Sequence, residues 1–355
     1  MKRWISFLFF LILFVSPFFA YFQWSYGQSW FSKILEILIL LFVLFPLLRQ
    51  FKYLSHLSFF SMGILSFIFV FSLTKDFMGL FNLYVDHQWI LASTLIASLS
   101  ATINAFKSPL VKKWQITIKD LPTEMNGLKI IQISDLHIGP VIGTKYVEKI
   151  VQAANELNAD IIALTGDIGD GPVEKHKETI ECLKKLKSRL GIFYIPGNHE
   201  YYWNANEWMN AMNNLKFIVL LNRGKIIEDN QRKILICGVS DPAGGIKPDP
   251  LSCLEFDDQT NMKILLSHRP GLAEEASKIG YHLQLSGHTH GGQFFPWTIF
   301  VRFFHKHVAG MYQIRNMWLN VNPGTGSWGP MMRLGTRTEI SLIEINQSKK
   351  IDHHP

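Results

Sequence analysis

Cysteine is scarce in this 355-residue chain: Cys182, Cys237 and Cys253 are the only ones. Three is an odd number and their spacing shows no pairing, so the sequence offers no disulfide framework and implies reduced thiols. Charge is nearly missing from the first hundred or so residues, which excludes a soluble, solvated N-terminal domain there. No basic block with interleaved aromatics occurs anywhere, so a nucleic-acid-binding role has no footing. Internal repeats and low-complexity tracts are also lacking, which removes solenoids and disordered arrays. The formal charge of +7 divides into +3 for residues 1–106 and +4 for residues 107–355, so the C-terminal part is nearly balanced.

Apolar and aromatic side chains fill the charge-poor region. Four membrane-spanning helices are expected, at about Trp4 to Phe22, Phe31 to Leu48, Leu57 to Leu73 and Gln88 to Phe106, each near the ~20 residues a bilayer requires. The second carries Glu36 and Pro46, and a re-entrant or interfacial segment is its alternative reading. Lys2 and Arg3 before an apolar run resemble a signal peptide, but Phe18-Phe19-Ala20 lacks the small-x-small cleavage pattern, so retention is expected. In a four-helix arrangement Lys2, Arg3, Arg49, Lys52, Lys107, Lys112 and Lys113 share one side, leaving Lys33 and Lys75 on the other. That asymmetry places both termini and the C-terminal domain in the cytoplasm, with the protein in the cell membrane. Lys107, Lys112 and Lys113 either meet anionic headgroups or form a solvated linker.

The domain division expected is a transmembrane region over 1–106, a juxtamembrane linker and first strand over 107–127, one catalytic domain over 128–346 and a polar tail over 347–355. Leu128 to Ser134, Asp160 to Thr165, Met262 to Ser267, Leu283 to Ser286 and Glu339 to Ile345 read as strands. Lys145 to Leu157, Val173 to Leu186 and Asn204 to Leu215 read as helices.

Chemistry-bearing residues appear where the apolar runs stop: Asp135-Leu136-His137, Gly166-Asp167, Gly197-Asn198-His199-Glu200, Ser267-His268 and Gly287-His288-Thr289-His290-Gly291. Any one Asp or His at a strand end is ordinarily a cap or a surface residue, but an ordered set of this kind reads as one binuclear metal site. Two cations roughly 3.5 to 4 Å apart can bind both the attacking and the leaving oxygen of an in-line displacement at phosphorus. Asp167 is the natural bridge between them. Asp135 and His137, at i and i+2 and therefore pointing the same way, would hold one ion with His290. Asn198, His268 and His288 are then left for the other. Most of these groups are neutral amide or imidazole, so the site stays net positive, which favours an anionic phosphoester. His199 follows Asn198 directly and is assigned to protonating the leaving oxygen.

The order D-x-H, G-D, G-N-H-E, H, G-H-T-H-G-G resembles that of the calcineurin-like metallophosphoesterases, from about Trp114 to Ile345. The stretches Ile133-Ser134-Asp135-Leu136-His137-Ile138-Gly139 and Gly287-His288-Thr289-His290-Gly291-Gly292-Gln293 look most like a bacterial membrane-anchored phosphodiesterase subgroup. The resemblance implies a four-layer α/β/β/α sandwich after the N-terminal helices, a dimetal centre at the C-terminal edges of two sheets, and hydrolysis of phosphomonoesters or phosphodiesters. The family's ligand roles fall on Asp135, His137, Asp167, Asn198, His268, His288 and His290, and its near-metal histidine on His199. Mixed ligands suit two divalent ions of Mn, Fe or Zn.

Substrate is less legible. Ile168-Gly169-Asp170-Gly171 lacks the Asp-Arg-Gly stretch of the Ser/Thr protein phosphatases, which argues against a protein substrate. The aromatic run from Phe294 to Phe304 reads either as a loop in the membrane interface, admitting a lipid phosphoester, or as packing against the protein. Arg333 is a candidate phosphate clamp, its alternative being a plain surface arginine. His282 reads as structural, His305 and His307 lie away from the motifs, and His353 and His354 end the solvated tail. The expectation is a membrane-anchored dimetal phosphohydrolase for a phosphodiester or pyrophosphate of a lipid-like compound. Soluble nucleotides or general phosphoesters are the runner-up, and an inactive membrane scaffold or receptor is the reading from another class.

Overall fold

The apolar runs become strands, and each of the polar motifs falls just past a strand's end. The computed structural model describes residues 16–27, 29–44, 52–119, 121–230, 232–254 and 260–347. The start of the expected first span, the end of the second, and the tail with His353 and His354 lie outside them. By contacts the chain divides into one unit of residues 1–103 with 329–332 and another of 104–328 with 333–355.

The first unit is helical: α1 (Ser16–Tyr26), α2 (Trp30–Val43), α3 (Lys52–Gly79) and most of α4 (His87–Phe106). Phe31, Leu35 and Ile39 are buried on α2, spaced four apart on one face. Tyr26 at the end of α1 reaches Ser72 on α3 at 2.6 Å. Its ring lies 4.5 Å from Phe31 at the start of α2, and Phe31 lies 6.0 Å from His87 at the start of α4. Successive helices therefore run in opposite directions. Among the described residues, two helical segments, His56–Gly79 and His87–Phe106, are long and apolar enough to cross a bilayer. The 14 residues of α2 rise about 21 Å, against a hydrocarbon core of about 30 Å.

The second unit holds two six-stranded sheets. In the first, β1 (Leu110–Ile118), β2 (Lys129–Ile133), β3 (Ile161–Thr165), β4 (Gly191–Ile195) and β5 (Ile218–Val219) are joined by the last strand, β12 (Glu339–Gln347), in the order β1-β12-β2-β3-β4-β5. The second comprises β6 (Arg223–Asp229), β7 (Arg232–Gly238), β8 (Met262–Leu266), β9 (Leu283–Ser286), β10 (Gly310–Ile314) and β11 (Met317–Val321), in the order β10-β11-β9-β8-β7-β6. Strands β2, β3 and β4 are parallel neighbours, as are β7, β8 and β9. Parallel pairing aligns the C-terminal ends of the strands along one edge of each sheet, where ligands are placed in such folds.

One core joins the sheets. Ile130, Ile161, Ala163, Phe193 and Ile343 from the first meet Ile234, Ile236, Ile264, Leu266 and Leu283 from the second. Alternate residues of the same strands, such as Ile131, Ile162 and Leu164, are buried on the other face, as strands covered on both sides require. The connecting helices are α5 (Thr144–Asn155), α6 (Lys177–Glu181), α7 (Asn198–Trp203), α8 (Ala205–Asn214), α9 (Ala273–Lys278) and α10 (Trp297–Phe304). Val147, Ile150, Val151 and Ala154 form the buried stripe of α5. Ala273 and Ala276 of α9 pack with Leu265, Leu319 and Val321 on the outer side of the second sheet.

Two expectations change. The helix expected over Val173 to Leu186 is an α-helical turn, Lys177–Glu181, flanked by tighter 3₁₀ turns at Val173–His176 and Cys182–Lys185. The three cysteines are not all free thiols: Cys237 and Cys253 are bonded, with Cα atoms 5.6 Å apart, and Cys182 alone is free. Linear spacing hid the pair because the chain after β7 folds back over the outer face of the second sheet, burying both cysteines in the cluster with α9.

Candidate metal centre

Each expected ligand follows closely on the end of a strand. Asp135 and His137 follow β2, Asp167 follows β3, and Asn198 opens α7 after β4. His268 follows β8, and His288 and His290 follow β9. Asp135, His137, Asp167, His288 and His290 have φ between 51° and 72°. Left-handed backbone costs a non-glycine residue about 1–2 kcal/mol, so it persists where the surroundings over-determine it. This replaces the strand-alternation argument for Asp135 and His137: β2 ends at Ile133, and the turn aims the two side chains. Two glycines are needed for close approach. A Cβ on Gly197 would collide with the Asp167 carboxylate, and one on Gly287 with that of Asp135.

The loops bring together three sets whose ligand atoms lie within 4.8 Å of one another: Asp135, His137 and His290; His137, Asp167 and His199; and Asp167, His268 and His288. Asp167 and His137 each belong to two of the sets, and Asp167 alone shares a set with His268 and His288 and another with His137. Asn198 joins the last through its Oδ1, 3.2 Å from His268 Nε2. His268 donates from Nδ1 to the Thr165 carbonyl at 2.9 Å, which leaves Nε2 as its ligating nitrogen. Nε2 of His137 and Nε2 of His290 lie 3.0 Å apart. Nδ1 of His137 is buried without a hydrogen-bond partner.

Burial dominates the titration of these groups and separates them by partner. It pushes His137 and His288 down to about 3 and His290 well below its usual range, with neighbouring imidazoles adding to the effect. Burial raises Asp135 to about 6. For Asp167 burial acts upward as well, but His268, 3.2 Å away, outweighs it and holds the carboxylate far below its usual range. Burial would lower His268, and Asp167 reverses that, to about 10. Imidazoles that burial keeps neutral, with ring nitrogens 3.0 Å apart, beside a carboxylate that stays ionised, are a donor set that fits a cation.

A second ring of residues fixes the ligands. Glu200, fully buried, accepts from the backbone N–H of Asp167, Ile168, Gly169 and Gly197 at 3.0, 2.7, 3.0 and 2.8 Å. One side chain thus ties the loop after β3 to the loop after β4. His199 donates its backbone N–H to Asp167 at 2.8 Å, and its Nδ1 lies 3.0 Å from Oδ1 of Asp170. Asp170 belongs to none of the expected ligand motifs; its one signal in the sequence is a second carboxylate three residues after Asp167. The rings of Tyr202 and Trp328 stand 5.2 and 5.8 Å from that of His199.

Arg333 is a correction. It is fully buried, and its guanidinium donates to the carbonyls of His290, Pro323 and Gly326 and to Ser327 Oγ. It braces the loop of His290, and with those donors spent on backbone carbonyls and the Ser327 hydroxyl it is neither a phosphate clamp nor a surface arginine. His305 was set apart from the site, yet its ring lies 5.7 Å from that of His288. His282 is structural, its Nδ1 accepting from the Lys263 backbone N–H at 3.0 Å.

A buried His, Asp and Asn set along the edges of two sheets is the arrangement of a metal-dependent hydrolase. Residues 128–292 match the family model described as Calcineurin-like phosphoesterase. The chain is similar to the transmembrane protein with metallophosphoesterase domain of Danio rerio, 30% identical over 325 residues, 83% of this chain and 74% of that protein. With the Bos taurus protein of the same name it shares 32% identity over 266 residues, 70% of this chain and 60% of that one. An uncharacterized metallophosphoesterase of Aquifex aeolicus is 33% identical over 242 residues, 66% of this chain and 91% of the other. The chain belongs to the calcineurin-like phosphoesterase family and is a metal-dependent hydrolase.

Proposed function

We propose that this chain is a multi-pass, membrane-anchored phosphohydrolase with two divalent ions, Mn, Fe or Zn, that cleaves a phosphodiester or pyrophosphate bond of a lipid-linked compound. The observation that carries the hydrolase reading is the convergence of seven ligand-type side chains from five loops, with Asp167 linking the set of His137 to that of His268 and His288. Asp135, His137 and His290 would hold one ion and Asn198, His268 and His288 the other, with Asp167 between them. Two such ions supply Lewis-acid stabilisation of the charge that builds on phosphoryl oxygens and lower the pKa of water.

The chain's own residues do the rest. Glu200 and Arg333 keep the ligand loops in place through backbone hydrogen bonds, so the site needs little reorganisation as charge develops. Asp170 holds Nδ1 of His199, which leaves Nε2 to carry the proton to the leaving oxygen. Burial lowers the affinity of His199 for that proton, but in the chain without metal Asp170 and Asp167 more than restore it, to about 9, which favours the protonated ring that a general acid requires.

Two observations bear on the side of the membrane. The distribution of Lys and Arg supports a cytoplasmic catalytic domain. The Cys237–Cys253 bond favours the oxidising side.

Turnover of a bis-aryl phosphodiester with added Mn²⁺, measured for the intact chain and for Asp167→Ala and His199→Ala, tests the reading. Metal-dependent turnover lost in both variants supports it. No metal-dependent turnover of any phosphoester sinks it and favours a scaffold.

A further inference from the structure

The segment that follows the His290 turn carries an exposed apolar surface that the catalytic site does not use. Helix α10 buries none of its residues. Trp297, Ile299, Phe300, Phe303 and Phe304 are 46, 51, 46, 76 and 82% exposed. They form a continuous surface, with the Trp297 and Phe300 rings 6.0 Å apart and the Phe300 and Phe303 rings 6.5 Å apart. Thr298 and Arg302, four residues apart, make up the narrow polar face. A soluble surface seldom leaves so many large aromatics together in water.

The helix is also fixed to the metal-ligand loop. Gly292, two residues after His290, is packed so closely against the backbone of Trp297 and Thr298 that a Cβ there would collide with both. Phe294 after it is buried, and Phe295 donates its backbone N–H to Leu334 at 2.9 Å. The exposed aromatics therefore stand on a rigid base beside the site.

We propose that α10 is an interfacial membrane-binding helix, seated among the lipid headgroups, and that it gives the adjacent metal centre access to the phosphoester of an amphipathic lipid. This names a substrate class for the hydrolase and rests on that reading. Three features select the bilayer as the occupant. Trp and Phe over a short basic helix are the composition that settles at the headgroup level. No Asp or Glu occurs between Glu275 and Glu339, and Arg302 lies on the helix itself, which complements an anionic leaflet, whereas Lys306 beyond its end is paired with Glu274 at 2.9 Å. Only Lys107, Ser108 and Pro109 separate α4, an apolar helix long enough to cross a bilayer, from β1. At most ~14 Å of extended chain is available there.

The test uses the full chain in nanodiscs of phosphatidylcholine and phosphatidylglycerol, with Cys182→Ser and a bimane label on Phe303→Cys. A label on Lys184→Cys, at an exposed position of the catalytic unit, is the control. The Phe303 label is expected to be quenched by doxyl-lipid and shielded from aqueous iodide, and the control to show the reverse. Lower doxyl quenching in phosphatidylcholine alone would support the anionic preference. Quenching of the Phe303 label by iodide to the level of the control overturns the proposal, as does shielding from both quenchers, which would mean that protein covers the helix. In parallel, the double variant Phe303→Ser with Phe304→Ser should lose ~10-fold or more of its turnover on a vesicle-embedded phosphodiester. It should keep its turnover of a water-soluble aryl phosphodiester within about 2-fold, since neither residue is placed among the ligands. Equal loss on both substrates overturns the substrate claim. Absence of all turnover in the unmodified chain would count against the hydrolase reading alone, because the quenching result does not depend on it.

Discussion

Oδ1 of Asp170 lies 3.0 Å from Nδ1 of His199 and also accepts from Nε1 of Trp203 at 3.0 Å. The carboxylate thus sets both the orientation of the imidazole and its charge. Burial alone would favour neutral His199; Asp170 and Asp167 reverse this and keep it protonated up to about 9. Activity that needs the protonated ring is present below that value and is lost as pH rises through it. Asp170→Asn removes one of the raising charges, so the alkaline limb of kcat should move to lower pH and kcat at neutral pH should fall roughly 10- to 100-fold. An unmoved alkaline limb would show that His199 is not the group that gives up the proton.

Metal loading should release a proton. In the chain without metal, burial disfavours a charged His268, but Asp167 at 3.2 Å overrides it and pushes the imidazole up to about 10. Its Nε2 must lose that proton to serve as a ligand. Calorimetry of Mn²⁺ or Zn²⁺ binding near pH 7, repeated in buffers of different ionisation enthalpy, should give enthalpies that change with the buffer. Identical enthalpies would mean that His268 remains protonated and lies outside the ligand set.

Metal stoichiometry separates the roles of the ligands. His290 groups only with Asp135 and His137, whereas Asp167 groups with His137 on one side and with His268 and His288 on the other. His290→Ala should therefore lose about one metal equivalent, whereas Asp167→Ala should lose both or bind them far more weakly. Elemental analysis after gel filtration reads this directly. Retention of two equivalents by Asp167→Ala would remove it from the bridging position.

Most of the candidate site could be read from the chain because its residues sit in short motifs at the ends of apolar runs. Asp135, His137, Asp167, Asn198, His268, His288 and His290 all come to the sheet edges, and the strands expected at Leu128, Asp160, Met262, Leu283 and Glu339 form within a residue or two of those starts. What stayed hidden depends on tertiary approach. Asp170 acquires a partner only when the loop after β3 meets α7. Arg333 looks like any polar residue until burial turns its fork onto the carbonyls around His290. Strand alternation could not describe Asp135 and His137, since their left-handed backbone follows the strand's end. The edge strands β5, β6 and β10 and the interior strands β4, β7 and β11 are not among the strands expected; pairing with neighbours defines such short strands more than their own sequence does.

Glu200 joins two ligand loops with one carboxylate that accepts from Asp167, Ile168, Gly169 and Gly197. In Glu200→Gln one acceptor oxygen becomes an NH₂ donor facing backbone N–H groups, so buried donors meet donors. The cost should be about 2–4 kcal/mol. Both metal affinity and the thermal midpoint in detergent should drop, with metal affinity failing first because the Asp167 loop loses its anchor. A normal metal content in Glu200→Gln would show that the loops hold their shape without it.

The cysteines provide a count that bears on the side of the membrane. Cys237 on β7 and Cys253 are bonded, and Cys182 is buried and free. Closing a loop of this size, with a sequence separation of 16, stabilises a fold by about 3 kcal/mol. Denatured without reductant and treated with a maleimide polymer, the chain taken directly from its native membrane should gain one adduct, on Cys182. After reduction it should gain three. Cys182→Ser should gain none before reduction. One adduct would place the catalytic unit in an oxidising compartment, against the cytoplasmic placement that Lys and Arg support. Three adducts without reductant would mean that the pair lies close but unbonded, as a reducing cytoplasm would keep it.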